Sequence, residues 1–125
     1  MLEATASEIS SATGGTILPI QCDIRDPKAI AEAVDQIEEK LGLPNVVVNN
    51  AAGNFISPTE RLSPNAFKTI VDIVLNGTAF LTLDVGKRMI QQKTGTMRMC
   101  KTMHIWKFNF VFRWRVLVNY NSLYL

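Results

Sequence analysis

Val46-Val47-Val48-Asn49-Asn50-Ala51-Ala52-Gly53-Asn54-Phe55 is the stretch on which the fold turns. Its first three residues are β-branched, with no polar residue alternating between them. That pattern predicts a strand buried on both faces, as in a parallel sheet whose two sides are covered by helices. The residues after it are small or carry amides, so the strand leads into a loop where a flat ligand can approach the backbone. In open α/β sheets ligands bind outside the carboxyl ends of the strands, which is where this loop would lie.

The flanking segments fit the same plan. Downstream, residues 49–60 read as loop, and Ser63-Pro64 opens a helix: serine caps the free N–H groups and proline suits the first turn. Phe67, Ile70, Val71, Val74, Leu75, Phe80 and Leu83 then recur at helical spacing to about Ile90, with Gly77 as a weak point that can bend the helix. Lys87, Arg88 and Lys93 suit its C-terminus, and Gly95 follows it. Upstream, Asp26-Pro27 starts another helix, in which Ile30, Val34, Ile37 and Leu41 share one face, and Gly42 and Pro44 end it. Before that, residues 16–20 have the length and apolarity of a strand ending at Gln21-Cys22-Asp23. Residues 2–12 read as a helix with Ala4, Ile9 and Ala12 on its apolar stripe, stopped by Gly14-Gly15. The order helix, strand, helix, strand, helix implies βαβ units with right-handed crossovers. The expected fold class is α/β: a partial Rossmann-like, doubly wound parallel sheet, incomplete at both ends.

Composition divides the chain. Residues 1–95 hold 8 Lys/Arg against 11 Asp/Glu, a net −3, whereas residues 96–125 hold 5 Lys/Arg and no acid, a net +5. Three of the aromatic residues precede position 96 and seven follow it. This break places a boundary at residues 94–96. Beyond it, Trp106, Phe108, Phe110, Phe112, Trp114, Val116, Val118 and Tyr120 alternate with polar residues, the period of a long amphipathic strand. Two cysteines, Cys22 and Cys100, make no disulfide framework. There is no uninterrupted apolar run of membrane-spanning length, and Met1 is expected to open neither a signal nor a transit peptide. His104 stands alone and supports no metal site.

Two loops lie where a ligand is expected: Cys22-Asp23-Ile24-Arg25 and 49–55. Asn49-Asn50-Ala51-Ala52-Gly53 resembles the Asn-Asn-Ala-Gly motif of the short-chain dehydrogenase/reductase superfamily, and an aspartate ending the preceding strand, here Asp23, fits it too. The run from Asn50 to Leu62, followed by Ser63-Pro64-Asn65-Ala66-Phe67-Lys68, resembles the 2,4-dienoyl-CoA reductases, closest to their mitochondrial branch. The resemblance covers about residues 3–95 and none of the tail. It divides the chain into a partial NADP-binding Rossmann-like domain, 1–95, and an aberrant aromatic and basic tail, 96–125, as a read-through or frameshift would produce.

The resemblance implies roles at matching positions. Asp23 would accept from the adenine amino group of NADP, and Asn50, Ala51 and Gly53 would pack along the adenosine ribose. Asn54, the catalytic residue, would hold the thioester carbonyl of the acyl-CoA. Phe55 and Ser63 would line the acyl-CoA site, and Arg25 would meet the charged part of CoA. The implied reaction is NADPH-dependent reduction of a 2,4-dienoyl-CoA to a 3-enoyl-CoA in fatty-acid β-oxidation. The implied location is mitochondrial, with peroxisomal or cytoplasmic as alternatives, and the implied assembly is a homo-oligomer.

The sequence also departs from the superfamily. Val74 stands where a typical member carries asparagine, three residues before the helix glycine. No Gly-x-x-x-Gly-x-Gly turn occurs to hold a pyrophosphate, and no Tyr-x-x-x-Lys follows Gly95 to donate a proton. The chain alone is therefore expected to be inactive. The alternative reading is a non-catalytic subunit that joins full-length partners through the 63–92 helix; a third is a product with no role. From the residues alone, Asp23 is equally a turn-capping carboxylate and Asn54 a residue that orders its own loop. Arg25 and Arg61 read as solvated charges, Phe67 and Phe80 as core, and Cys22 as a small buried residue. The tail has the composition of a nucleic-acid or membrane-surface strip; no nucleic-acid partner and no membrane span is expected.

Overall fold

Local signals set the helices where the sequence places them. The computed structural model describes residues 1–53, 57–99, 103–105 and 108–110. Helix α1 spans Leu2–Thr13 and ends on Gly14 in the left-handed conformation. Helix α2 spans Pro27–Leu41; the Asp26 carboxylate accepts from the Lys28 N–H at 2.9 Å, and Gly42 closes it. Strand β1 is Val46–Asn49. A short 3-10 turn at Thr59–Arg61 precedes helix α3, Pro64–Val71, where the Ser63 hydroxyl accepts from the Ala66 N–H at 3.1 Å. A π turn at Asp72–Asn76 joins α3 to helix α4, Gly77–Gln92, without breaking the helical path. The irregularity expected near Gly77 thus takes the form of one wide turn just before it. Strand β2, Thr96–Met99, follows; β3, Met103–Ile105, and β4, Phe108–Phe110, form a separate antiparallel pair.

Strands β1 and β2 are parallel, with Val46 opposite Thr96 and Asn49 opposite Met99. The helix between them is the crossover of a βαβ unit, so the chain forms a partial Rossmann-like α/β unit. Parallel pairing extends the sheet four residues past the compositional break, to Met99. The period-two pattern of the tail lies outside the described residues except at Phe108–Phe110, which forms β4 and pairs with β3.

The core lies on one face of this sheet. Ile30 and Val34 of α2, Val85 and Met89 of α4, and Met97 of β2 form one buried cluster, with Ile24, Leu43, Val47, Phe80 and Leu81 packed at its edge. Six expectations need correction. Val46 and Val48 are 61% and 54% exposed, because α2 and α4 cover only the face that carries Val47. Residues 16–20 form no strand, since β1 is paired only to β2 among the described residues and no ladder reaches them. In α1 only Ala6 is buried, and Ile9 is exposed; in α2 the apolar face ends before Leu41. Phe67 is exposed, as is Cys22, whose thiol is pushed up by its partial burial and by the charges of Asp23 and Asp26.

Taken together, the 29 residues Pro64–Gln92 are long and apolar enough to cross a membrane by length and composition alone. A core helix passes the same test: Ile70, Val74, Val85 and Met89 are buried, while Lys68, Asp72, Asp84 and Arg88 are charged positions along the same path.

One arginine ties α4 to α2. Arg88 Nη1 lies 2.6 Å from Asp35 and donates to Glu38 at 2.9 Å. Its Nε lies 3.1 Å from Asp84 Oδ1, an ion pair without hydrogen-bond alignment. Burial alone would lower the guanidinium's pKa, but hydrogen bonds to Asp35 and Glu38 and the charge of Asp84 outweigh it and raise it. Arg88→Met keeps the stem and removes the charge, leaving three carboxylates facing one another. The expected loss is about 1 kcal/mol, since two of the partners are largely solvated. It should shrink in 1 M salt; urea denaturation at low and high salt checks both.

Candidate functional site

The π turn organises the site. Two loops meet it one helical turn apart. A Cβ added to Gly53, at the end of the 49–53 loop, would stand 2.8 Å from Ile73 Cδ1. A Cβ added to Gly77 would stand 2.9 Å from the Ile24 backbone oxygen and from its side chain. The absence of a side chain at both glycines therefore lets the 22–25 and 49–53 loops close on the same stretch of helix. The sequence shows these glycines but not that each faces the other loop or helix, because the contact is made by residues distant in the chain.

The first loop is held by its own side chains. Arg25 Nε donates to Asp23 Oδ1 and Oδ2 at 2.9 and 3.1 Å, Nη2 donates to Oδ2 at 2.6 Å, and the Arg25 backbone N–H donates to Oδ1 at 3.0 Å. The side-chain and backbone hydrogen bonds from Arg25 hold the Asp23 carboxyl down at about 2, against an ordinary value of 3.8. The charge of Asp72 in the π turn also favours charged Arg25, and the hydrogen bond from Lys68 keeps Asp72 below the usual carboxylate range. A depressed carboxyl favours the folded state above its ordinary pKa, and that preference fades as pH falls from about 4 to about 2. Asp23 is therefore expected to stay ionised through pH 3; following its carboxyl carbon by NMR between pH 2 and 6 checks this, and a midpoint near 4 would contradict it.

In the second loop Asn50 and Ala51 are exposed and Gly53 is half-buried. Asn49 differs: it is 1% exposed, and neither atom of its amide has a hydrogen-bond partner among the described residues. Its place at the end of β1, two residues after Val47, turns it to the covered face. Sequence reasoning gave it no role of its own. The available signal was its register with Val47, which sets a polar group on the core side. Ser63 Oγ is occupied by its helix cap, so its hydroxyl is committed to the start of α3. Asn54 and Phe55 lie outside the described residues. Val74 is buried within the π turn, at the position where a typical superfamily member has asparagine.

The loops that carry Asp23 and Arg25, and Asn50, Ala51 and Gly53, reach the helix at Gly77 and Ile73, four residues apart. The arrangement offers an ionised acceptor, exposed amide groups and a close backbone approach. A family model described as short chain dehydrogenase matches residues 1–97. The chain belongs to the short-chain dehydrogenase family. The match takes in β1, the crossover helix and the first half of β2, so the family unit extends to the parallel pair described above. A crystal structure of a short chain dehydrogenase from Bacillus anthracis superposes with a TM-score of 0.75 at 37% identity, covering 85% of this chain and 44% of that one. Over 95 residues the chain is 56% identical to a probable 2,4-dienoyl-CoA reductase of Caenorhabditis elegans, covering 75% of this chain and 31% of that protein. Over 96 residues it is 57% identical to an uncharacterised oxidoreductase of the same organism, covering 76% and 31%. The chain thus spans about a third of the length of these curated relatives.

Proposed function

We propose that this chain carries the adenosine and thioester side of an oxidoreductase site that reduces 2,4-dienoyl-CoA to 3-enoyl-CoA with NADPH. The observation that carries the reading is the convergence of the 22–25 and 49–53 loops on one turn of the crossover helix, with an exposed, ionised Asp23 at its edge. Identity above 50% to a protein named as a probable dienoyl-CoA reductase supports the substrate class.

The residues fit the adenosine half of a dinucleotide. Asp23 accepts from the adenine amino group; Asn50, Ala51 and Gly53 present small or amide-bearing positions to the ribose. NADPH, when bound, supplies hydride. Asn54 donates to the thioester carbonyl oxygen, where negative charge builds as the dienoyl group is reduced, the kind of oriented donor that usually contributes most to catalysis. Phe55 and Ser63 line the acyl-CoA side, and Arg25 faces its anionic portion. The setting is fatty-acid β-oxidation in mitochondria, with peroxisomes as the alternative; enzymes named as peroxisomal 2,4-dienoyl-CoA reductases share 39% and 47% identity with it in mouse and rat.

The 125 residues hold neither a Gly-x-x-x-Gly-x-Gly turn nor a Tyr-x-x-x-Lys pair. No turnover is expected from the chain by itself. The test is therefore a chimera in which residues 1–97 replace the corresponding segment of the Caenorhabditis elegans probable 2,4-dienoyl-CoA reductase. Oxidation of NADPH dependent on 2,4-dienoyl-CoA is the expected result. A folded chimera with no such turnover overturns the reading.

A second reading follows from the exposed side chains of the crossover helix. Phe67, Leu75, Leu83 and Ile90 are each about half exposed or more, an apolar surface along its whole length. Through it the chain joins full-length family members as a non-catalytic subunit. Co-expression and size-exclusion chromatography test this; separate elution removes it.

A further inference from the structure

Asp23 is the only residue of the proposed adenosine site whose side chain is held at both oxygens by another side chain among the described hydrogen bonds. The partner, Arg25, is two residues on in the same loop, and it adds its own backbone N–H to Oδ1. A carboxylate gripped by the Nε and Nη2 edge of one guanidinium loses most of its torsional freedom; three N–H groups serve its two oxygens, the Nε–H shared between them, which leaves room for one further donor. The two side chains remain about half exposed, so a ligand can reach the carboxylate without displacing the arginine.

We propose that Arg25 is the positioning residue for Asp23: its guanidinium sets the carboxylate's orientation and so makes the loop selective for a 6-amino purine. The proposal rests on the reading of Asp23 as the adenine acceptor. Among the described residues, Cys22 and Asp26 lie close to Asp23 in the chain, and Asp72 of the π turn, itself paired with Lys68, adds its charge at Arg25. With Arg25 removed, Asp23 loses all of its described side-chain hydrogen bonds. The carboxylate then samples several rotamers and meets the amino group in only some of them.

Binding of adenosine and of purine riboside, which lacks the amino group, to the full 125-residue chain tests this by saturation-transfer NMR at pH 7. A hydrogen bond to an ionised acceptor gives the wild-type chain an expected preference for adenosine of about tenfold. In Arg25→Ala the preference should fall to within about twofold, with the circular dichroism spectrum unchanged. Arg25→Lys keeps the charge but not the planar fork, and should also stay below the wild-type preference. Retained preference in Arg25→Ala, or full rescue by lysine, overturns the positioning role and leaves Asp23 as the acceptor. If the wild-type chain shows no preference, the reading of Asp23 itself fails, and the proposal with it. A loss of adenosine and purine riboside binding in equal proportion would mean general damage to the loop and would also overturn it.

Discussion

Gly95→Ala is expected to destabilise the folded chain by on the order of 3 kcal/mol. Gly95 carries the chain from the end of α4 into β2 with φ at 132°, a backbone region that side chains rarely tolerate. An added methyl group would also enter the side chain of Met89, within 2.7 Å of its Cγ. Met89 is 1% exposed and locked among Ile30, Val34, Val85 and Met97, so it cannot step aside without opening the core. Backbone strain and overpacking therefore add at one position. Gly86→Ala is the internal control: its Cβ would rest 3.8 Å from Met97 Cε, an ordinary contact, inside a regular helix. That change should stabilise by about 0.5–1 kcal/mol. Urea denaturation of both variants measures the contrast. A Gly95→Ala midpoint equal to that of the parent chain would show that the turn into β2 is not built as described.

Asn54→Ala in the active chimera is expected to lower kcat by about 10²–10³-fold, the usual cost of removing one donor from a site where negative charge develops. The KM for NADPH should stay near its parent value, because in the proposed site Asn54 serves the thioester and not the dinucleotide. Asp23→Ala should do the reverse, raising the KM for NADPH with a smaller change in kcat. Steady-state assays with each substrate varied in turn separate the two. A kcat for Asn54→Ala within about threefold of the parent would remove Asn54 from the reaction.

Much of the fold was legible in the sequence because it rests on short-range chemistry. Asp26-Pro27 and Ser63-Pro64 are caps whose hydrogen bonds close within three residues, and both form as expected. The helices and the parallel strand at Val46–Asn49 follow from residue type and spacing, whereas the strand expected at 16–20 does not form. The small-residue loop after β1 identified the family before any packing was known. The extent of the sheet at its far end was less legible, since Met97-Arg98-Met99 lacks the look of a buried strand, and only its ladder to β1 makes it one.

Sequence by itself determined the helices with their caps, the strand at Val46–Asn49 and the family. Tertiary structure alone decided which face of β1 is covered, that Phe67 and Cys22 stand outside, and that Gly53 and Gly77 bring two distant loops to one helical turn. The reason is that capping and periodicity act over a few residues, whereas burial depends on which distant helix or strand arrives at a given face. Val46 and Val48 have the side chains of an interior strand and lie open all the same, because among the described helices α2 and α4 cover the opposite side.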